Sequence, residues 1–477
     1  MTEWSGVFFV IKFPDNSPVF SANCCRMERA IKGKIMQRTD KHEFLKGAAW
    51  IAGGGFIAKL IGALYRIPLT NLIGGYGIGL YQLVYPVYCL LLTVSATGIP
   101  SSIAKLTAEK IGKGESTAPL LKTTLKLFLW IGLAGTLLMM AFAPLLATAQ
   151  GSKSVLGGYY ALAPSVLLVS AISVFRGWFQ GQNKMHPTAL SEITEQAVKV
   201  GFGLLFAYLF RADVERAVIF LLLSVSLSEL FALCLMLYLF RRVPAPTQLK
   251  NEGEKVSAKS VLKLSIPVTL NSMLLPLSSL LDSVLVPRLL SAYADDAVTL
   301  YGLFSGGAVT VINLPVSICY GLAAASIPAV AAVVADGGGR RVRGKIFYAL
   351  GITAAVALPS AIGLYFLAGP TARLVFRSLA AQEQEILRGL IRAFALSAFT
   401  LSCTQTLSAC LTAQGKPQYA AFSMAIAILL KTAAYFFLLK NPKISVFGLA
   451  YASNLCYLVA FTLDLVYNLY ITRRKKE

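Results

Sequence analysis

From Phe44 to Ile471 the chain alternates between long apolar runs and short polar breaks. The runs are about 20 residues long, enough for a helix to cross a bilayer, and far longer than the alternating strands of a membrane barrel. Only helices and closed barrels satisfy their backbone groups in lipid, so the pattern predicts helices. About twelve spans are expected at this length, near residues 44–67, 80–104, 122–147, 156–180, 187–210, 216–240, 261–286, 298–323, 345–369, 386–413, 418–439 and 445–471.

The longest polar stretch within this core, Arg241 to Lys259, separates two groups of spans that resemble each other. "YGIGLYQL" (76–83) is answered by "DAVTLYGL" (296–303), and "TGIPSSIAKLTAEKIGKG" (97–114) by "AASIPAVAAVVADGGG" (324–339). "QNKMHPTALSEITEQAVKV" (182–200) aligns without a gap on "QGKPQYAAFSMAIAILLKT" (414–432), placing Lys184 over Lys416 and Lys199 over Lys431. The expected architecture is an all-α integral membrane protein with two six-helix halves, 44–240 and 261–472, around a central cavity. Residues 241–260 form a cytoplasmic linker and 473–477 a basic tail. Residues 1–43 read as an N-terminal extension. "VFFVIKF" is too short for a signal peptide or span, and Met36 would serve well as a start.

Charge sharpens the topology. The chain has 44 Lys and Arg against 22 Asp and Glu, yet only 14% of its residues are charged. With the N-terminus in the cytoplasm, alternate loops carry "KIGKGE", "RGWFQGQNK", "RRVRGK" and the terminal "RRKK". About 25 basic residues then face inward and about 11 outward, as the positive-inside rule requires. The basic surplus is therefore a topology signal, and no nucleic-acid partner is expected. Eight cysteines and two histidines lack metal-ligand spacing, so neither metal nor cofactor is expected. No sizeable soluble segment is available for ATP hydrolysis or glycosyl transfer.

Charges inside spans are expensive and mark function by default. Gly55, Lys59, Gly62 and Arg66 follow a 4-3-4 spacing and share one helix face. They offer a cation pair for a pyrophosphate, or else Arg66 snorkels to the outer interface. In the fifth span Glu192, Glu195 and Lys199 share a face, as an ion-coupling site or as a self-neutralising Glu195–Lys199 pair. Lys431 has no acid in its own span. Asp282 and Arg288 flank "SVLVP", either as a structural relation or as substrate ligands. Glu229 and Asp464 take a structural reading. Tyr81, Tyr85 and Tyr88 form a stripe expected to pack at the interface or to stack on sugars.

"KLIGALYRIPLTNLIGGYGIGLYQLVYPVY", with "TGIPSSIAKL" and "LLDSVLVPRLL", resembles the stage V sporulation protein B group. That group belongs to the multidrug/oligosaccharidyl-lipid/polysaccharide (MOP) exporter superfamily, together with MurJ-type lipid II flippases. The resemblance implies a MATE-like fold and a monomeric, non-enzymatic flippase in the bacterial cytoplasmic membrane. It implies movement of an undecaprenyl-linked glycan for wall, cortex or polysaccharide synthesis, with membrane lipids as partners and a coupling cation. Lys59, Arg66, Lys199, Arg288 and Lys431 would bind the substrate, and Glu192, Glu195 and Asp282 would serve ion coupling. A multidrug or cation antiporter of the same fold is the alternative, ahead of a membrane glycosyltransferase. Lipid II flippases resemble a fourteen-span plan, two more than expected here.

Overall fold

The computed structural model describes residues 57–58, 60–62, 64–242 and 261–474, apart from 263–264, 267–268, 271 and 336–338. The expectations for residues 1–43, for Lys59, for most of the linker and for the end of the basic tail lie outside the described residues. Within them, the elements of secondary structure are helices. Nine are long and apolar enough to cross a membrane. Their exposed residues are large and apolar, including Leu137, Phe142, Leu429 and Phe437. Such a surface belongs in lipid, not in water.

The first described run, Leu60–Gly112, holds 53 residues. A straight helix of that length would be roughly 80 Å long, far beyond a bilayer. Gly74, with φ 71°, turns the chain within the helical stretch α1 (residues 64–92). Glycine adopts that conformation without strain. Thus "LIGGYG" makes the expected break between the first two spans, a few residues beyond Pro68. A π-helical segment, Thr93–Thr97, joins α1 to α2 (Ile99–Gly112).

Next come α3 (Ala118–Ala149), α4 (Leu156–Leu162), α5 (Pro164–Gly181), α6 (His186–Leu209) and α7 (Val214–Arg242). Pro164, at the first position of α5, separates it from α4. The second group begins with α8 (Leu274–Leu290) and α9 (Ala297–Gly302), which leads through the π segment Leu303–Ala308 into α10 (Val309–Ala335). The remaining helices are α11 (Gly339–Phe366), α12 (Ala368–Val375), α13 (Ala381–Ala413), α14 (Pro417–Leu438) and α15 (Phe447–Arg474). The expected span at 187–210 is α6, whose Glu192, Glu195 and Lys199 lower its hydropathy below that of the nine. Short α12 stands where an outer loop was expected.

The turn after α5 and the turn after α13 have the same geometry. Asn183 and Gly415 are both left-handed, at φ 59° and 73°. The Lys184 amide donates to Phe179 O at 3.0 Å, and the Lys416 amide to Leu411 O at 3.0 Å. These are the positions that the repeat aligns, so the same backbone solution recurs in both groups.

The groups meet where α1 crosses the start of the α9–α10 rod. A Cβ on Gly302 would lie 2.3 Å from Gly75 O, and one on Gly79 would lie 2.2 Å from Val298 O. Since the obstacles are backbone atoms, no side chain fits at either glycine. Gln82 donates to Ser305 O at 2.8 Å beside this crossing. Asn71 clamps the far end of α12, donating to Val375 O at 2.8 Å and accepting from the Ser378 amide at 3.2 Å. Gln150 donates to Ser283 Oγ across the same junction. These contacts gather at the end where the sequence places the outer loops. At the opposite end Gly98 lies against Ser265 O.

Candidate functional site

Arg66 lies on α1, half-buried, one turn beyond Gly62. Its guanidinium makes no hydrogen bond or ion pair among the described residues. It acts electrostatically on Tyr65, Tyr81, Tyr85, Cys89 and Lys199.

Around it stand the three tyrosines of α1. Tyr81 and Tyr85 stack with centroids 5.0 Å apart, and Tyr85 and Tyr88 meet at 5.7 Å. Tyr81 and Tyr88 are buried. The stripe thus packs inside the bundle instead of in an interfacial belt. The Tyr88 hydroxyl donates to Glu229 Oε1 at 3.0 Å.

Lys199 of α6 is only 8% exposed and has no hydrogen bond or ion pair among the described residues. The expected Glu195–Lys199 pair is not made, because Arg176 of α5 holds Glu195 instead. Arg176 Nη2 lies 3.3 Å from Glu195 Oε2, and its Nε donates to Ser191 Oγ at 2.9 Å. Glu192, on the same helix, is half-buried. Glu195 and Glu229 both act on Lys199 without closing an ion pair. The sequence reading missed Arg176, which falls at the end of a span and was counted with the loop "RGWFQGQNK". A helical reading carried one turn further would have placed it opposite the α6 acids.

The second group resolves its charge differently. Lys431 of α14 pairs with Asp282 of α8: Nζ lies 2.8 Å from Oδ2 and donates to Ser278 Oγ at 2.6 Å. Tyr435 donates to the other carboxylate oxygen at 2.9 Å. The Asp282–Arg288 relation is absent. Six residues of helix place the two on different faces, and Arg288 is exposed. Pro287 does not end α8, which continues to Leu290.

Lys199 and Lys431 are repeat mates with opposite fates, and the sequence explains why. At the spacing that pairs Tyr81 with Tyr301, Asp282 falls opposite Gly62. The first group therefore has no carboxylate at that place. Instead Gly62 leaves space beside Gln196, whose Oε1 would stand 3.2 Å from a Cβ there. Among the described residues, the geometry thus leaves Arg66 and Lys199, the two cations set within spans of the first group beside the stacked tyrosines, without ion partners. Such an arrangement can receive an anion through charge-assisted hydrogen bonds. Asp464 of α15, buried, accepts a hydrogen bond from Ser408 Oγ, in keeping with a structural role.

Known proteins agree with this architecture. The family described as "Polysaccharide biosynthesis protein" matches residues 44–334. Stage V sporulation protein B of Bacillus subtilis (strain 168) is 30% identical over 302 residues, 61% of this chain and 58% of that relative's length. The lipid II flippase MurJ of the same organism is 22% identical, over 87% of this chain and 81% of its own. Among solved structures, an inward-facing multidrug resistance MATE family transporter of the MOP superfamily superimposes with a TM-score of 0.75 at 16% identity. That match covers 88% of this chain and 95% of the transporter. A MOP superfamily transporter from Pyrococcus furiosus, with a binding pocket described as of reverse polarity, gives a TM-score of 0.64 at 15% identity. It covers 91% of this chain and 96% of its own. The all-α, MATE-like MOP fold is therefore shown.

Proposed function

The chain belongs to the polysaccharide biosynthesis protein family, and on that premise we propose that it is a flippase for a lipid-linked glycan. The cargo is an undecaprenyl-linked oligosaccharide or peptidoglycan precursor. It crosses the bacterial cytoplasmic membrane by alternating access of the two six-helix halves, in a monomer with both termini in the cytoplasm. One observation carries the reading: Arg66 and Lys199, without ion partners among the described residues, lie within electrostatic range of each other. Two such charges at membrane depth repel each other and are costly to hold. A diphosphate linker offsets both, and Arg66 offers the forked donor geometry that phosphate oxygens match. The lipid tail stays in the bilayer, and the stacked tyrosines present aromatic faces to the headgroup.

An antiporter for organic cations would need a free acid in the same space. Glu195, Glu229 and Asp282 already accept hydrogen bonds from Arg176, Tyr88, Lys431 and Tyr435. A coupling cation would act at Glu192 and Glu195, or by displacing Lys431 from Asp282. No catalytic step is assigned to the chain.

The test is reconstitution. In proteoliposomes carrying a fluorescent undecaprenyl-diphosphate oligosaccharide, the protein should expose the label to a membrane-impermeant quencher on the far leaflet. A rate no faster than in protein-free vesicles would overturn the assignment. Orientation is checked apart from transport: reporter fusions after Gly114 and Gly415 should read as cytoplasmic, and one after Asp295 as external. Inversion of either set would reverse the topology.

A further inference from the structure

At the end of the bundle where the two groups are clamped, α12 and the start of α13 line a half-open cavity of about 260 Å³. Gly369, Ala372 and Arg373 line it from α12, and Gln384, Glu385 and Arg388 from α13. We propose that this cavity is a binding site for a phosphodiester headgroup of an anionic membrane lipid, separate from the transport site.

Charge and hydrogen bonding support this assignment. The lining carries two guanidinium groups against one carboxylate. That carboxylate is committed, because both oxygens of Glu385 accept from Arg388 Nη1, at 2.9 and 3.1 Å. Arg388 Nε is left buried and without a partner. It lies against Gly369, 3.5 Å from where a Cβ would stand there. A buried N–H without an acceptor is uncommon and costly in a folded protein. A phosphate oxygen in the cavity would accept from Arg388 Nη2, which makes no hydrogen bond among the described residues, with Arg373 completing the charge balance.

The wall is held in advance of any ligand. The Gln384 amide donates to the carbonyls of Phe376, Arg377 and Leu379 at 3.2, 3.4 and 3.0 Å. Asn71 of the opposite group holds the end of α12. Such preorganisation reduces the ordering cost of binding. Apolar surface shows why the anion should carry acyl chains. Phe366 and Leu367 just before α12 and Leu374 within it are 70%, 57% and 77% exposed. Short α12, with Ala368 and Ala372 buried and Leu374 outward, lies as an interfacial helix does. The volume suits one headgroup and is below that of drug-sized pockets, roughly 300–1,000 Å³.

The test is retention of phosphatidylglycerol by the full chain in detergent, titrated and read by native mass spectrometry, with phosphatidylcholine as the neutral reference. Arg373→Gln with Arg388→Gln should weaken phosphatidylglycerol retention at least tenfold. Lys440→Gln with Lys443→Gln, which removes two exposed charges from another loop expected on the same side, should change it less than twofold. Gly369→Val keeps every charge and crowds the cavity, and should also weaken retention severalfold. Arg388→Lys keeps the charge without the buried N–H, and should fall between wild type and the double variant. Equal loss in both glutamine pairs, or full retention by Gly369→Val, would reduce the effect to general surface attraction and overturn the site. Inorganic phosphate is the second arm. If it displaces phosphatidylglycerol at low millimolar concentration, the ligand is a soluble phosphate and the lipid assignment fails. If it does not, the acyl chains contribute as proposed.

Discussion

Lys431→Ala is expected to destabilise the protein by about 3–5 kcal/mol, the usual cost of breaking a buried ion pair from one side. The side chains of Lys431 and Asp282 are 7% and 17% exposed, so neither can recover full hydration if its partner is removed. Without the ammonium, Asp282 keeps, among the described residues, the Tyr435 hydroxyl as its one donor, and Ser278 Oγ loses its contact with the lysine. Asp282→Ala should cost a similar amount for the mirrored reason. The double variant Lys431→Met with Asp282→Leu should lie within about 1 kcal/mol of wild type, because it removes both desolvated charges together. Thermal unfolding of the detergent-purified protein, followed by the monomer peak in size exclusion, measures all three. If the single variants are no less stable than the double, the pair does not hold α8 to α14. The same set separates stability from transport: a double variant that folds normally but transports poorly would give the pair a role in the cycle as well.

That pair also shows where sequence reasoning stops. Lys431 stood out as a charge in an apolar span, a local property that hydropathy exposes. Its partner lies in another helix, so its identity depends on packing that periodicity does not encode. The nearer candidate, Arg288, fails by helical geometry alone, since six residues turn it off the Asp282 face. Arg176 was missed for a related reason: at a span's end, helix and loop readings differ by one turn, and that turn carries the partner of Glu195. The helical class was legible because lipid permits no other way to satisfy the backbone over such runs. Gly74 falls between the expected spans 44–67 and 80–104, and Asn183 and Gly415 fall between expected spans at aligned positions of the repeat. The helix α12 was not legible, because "AGPTARLV" is too short and too mixed to show a period.

Arg66→Ala should weaken substrate binding about ten- to a hundredfold, the effect of losing one charge-assisted contact of roughly 1.5–3 kcal/mol. Insertion should not suffer, because removing a membrane charge eases it. Arg66→Lys keeps the charge but loses the fork, so partial activity is expected. Lys199 makes the test specific. If both cations contact one diphosphate, Lys199→Gln should also impair transport. The double variant should then lose less than the two single losses combined, since each single change already disrupts the shared anion. Two independent contacts would instead add. The measurement is the quencher-accessible rate in proteoliposomes, normalised to inserted protein and titrated with lipid-linked substrate. Wild-type transport by Arg66→Ala at normal abundance would leave its unpaired guanidinium without a substrate role and would remove the observation on which the flippase reading rests.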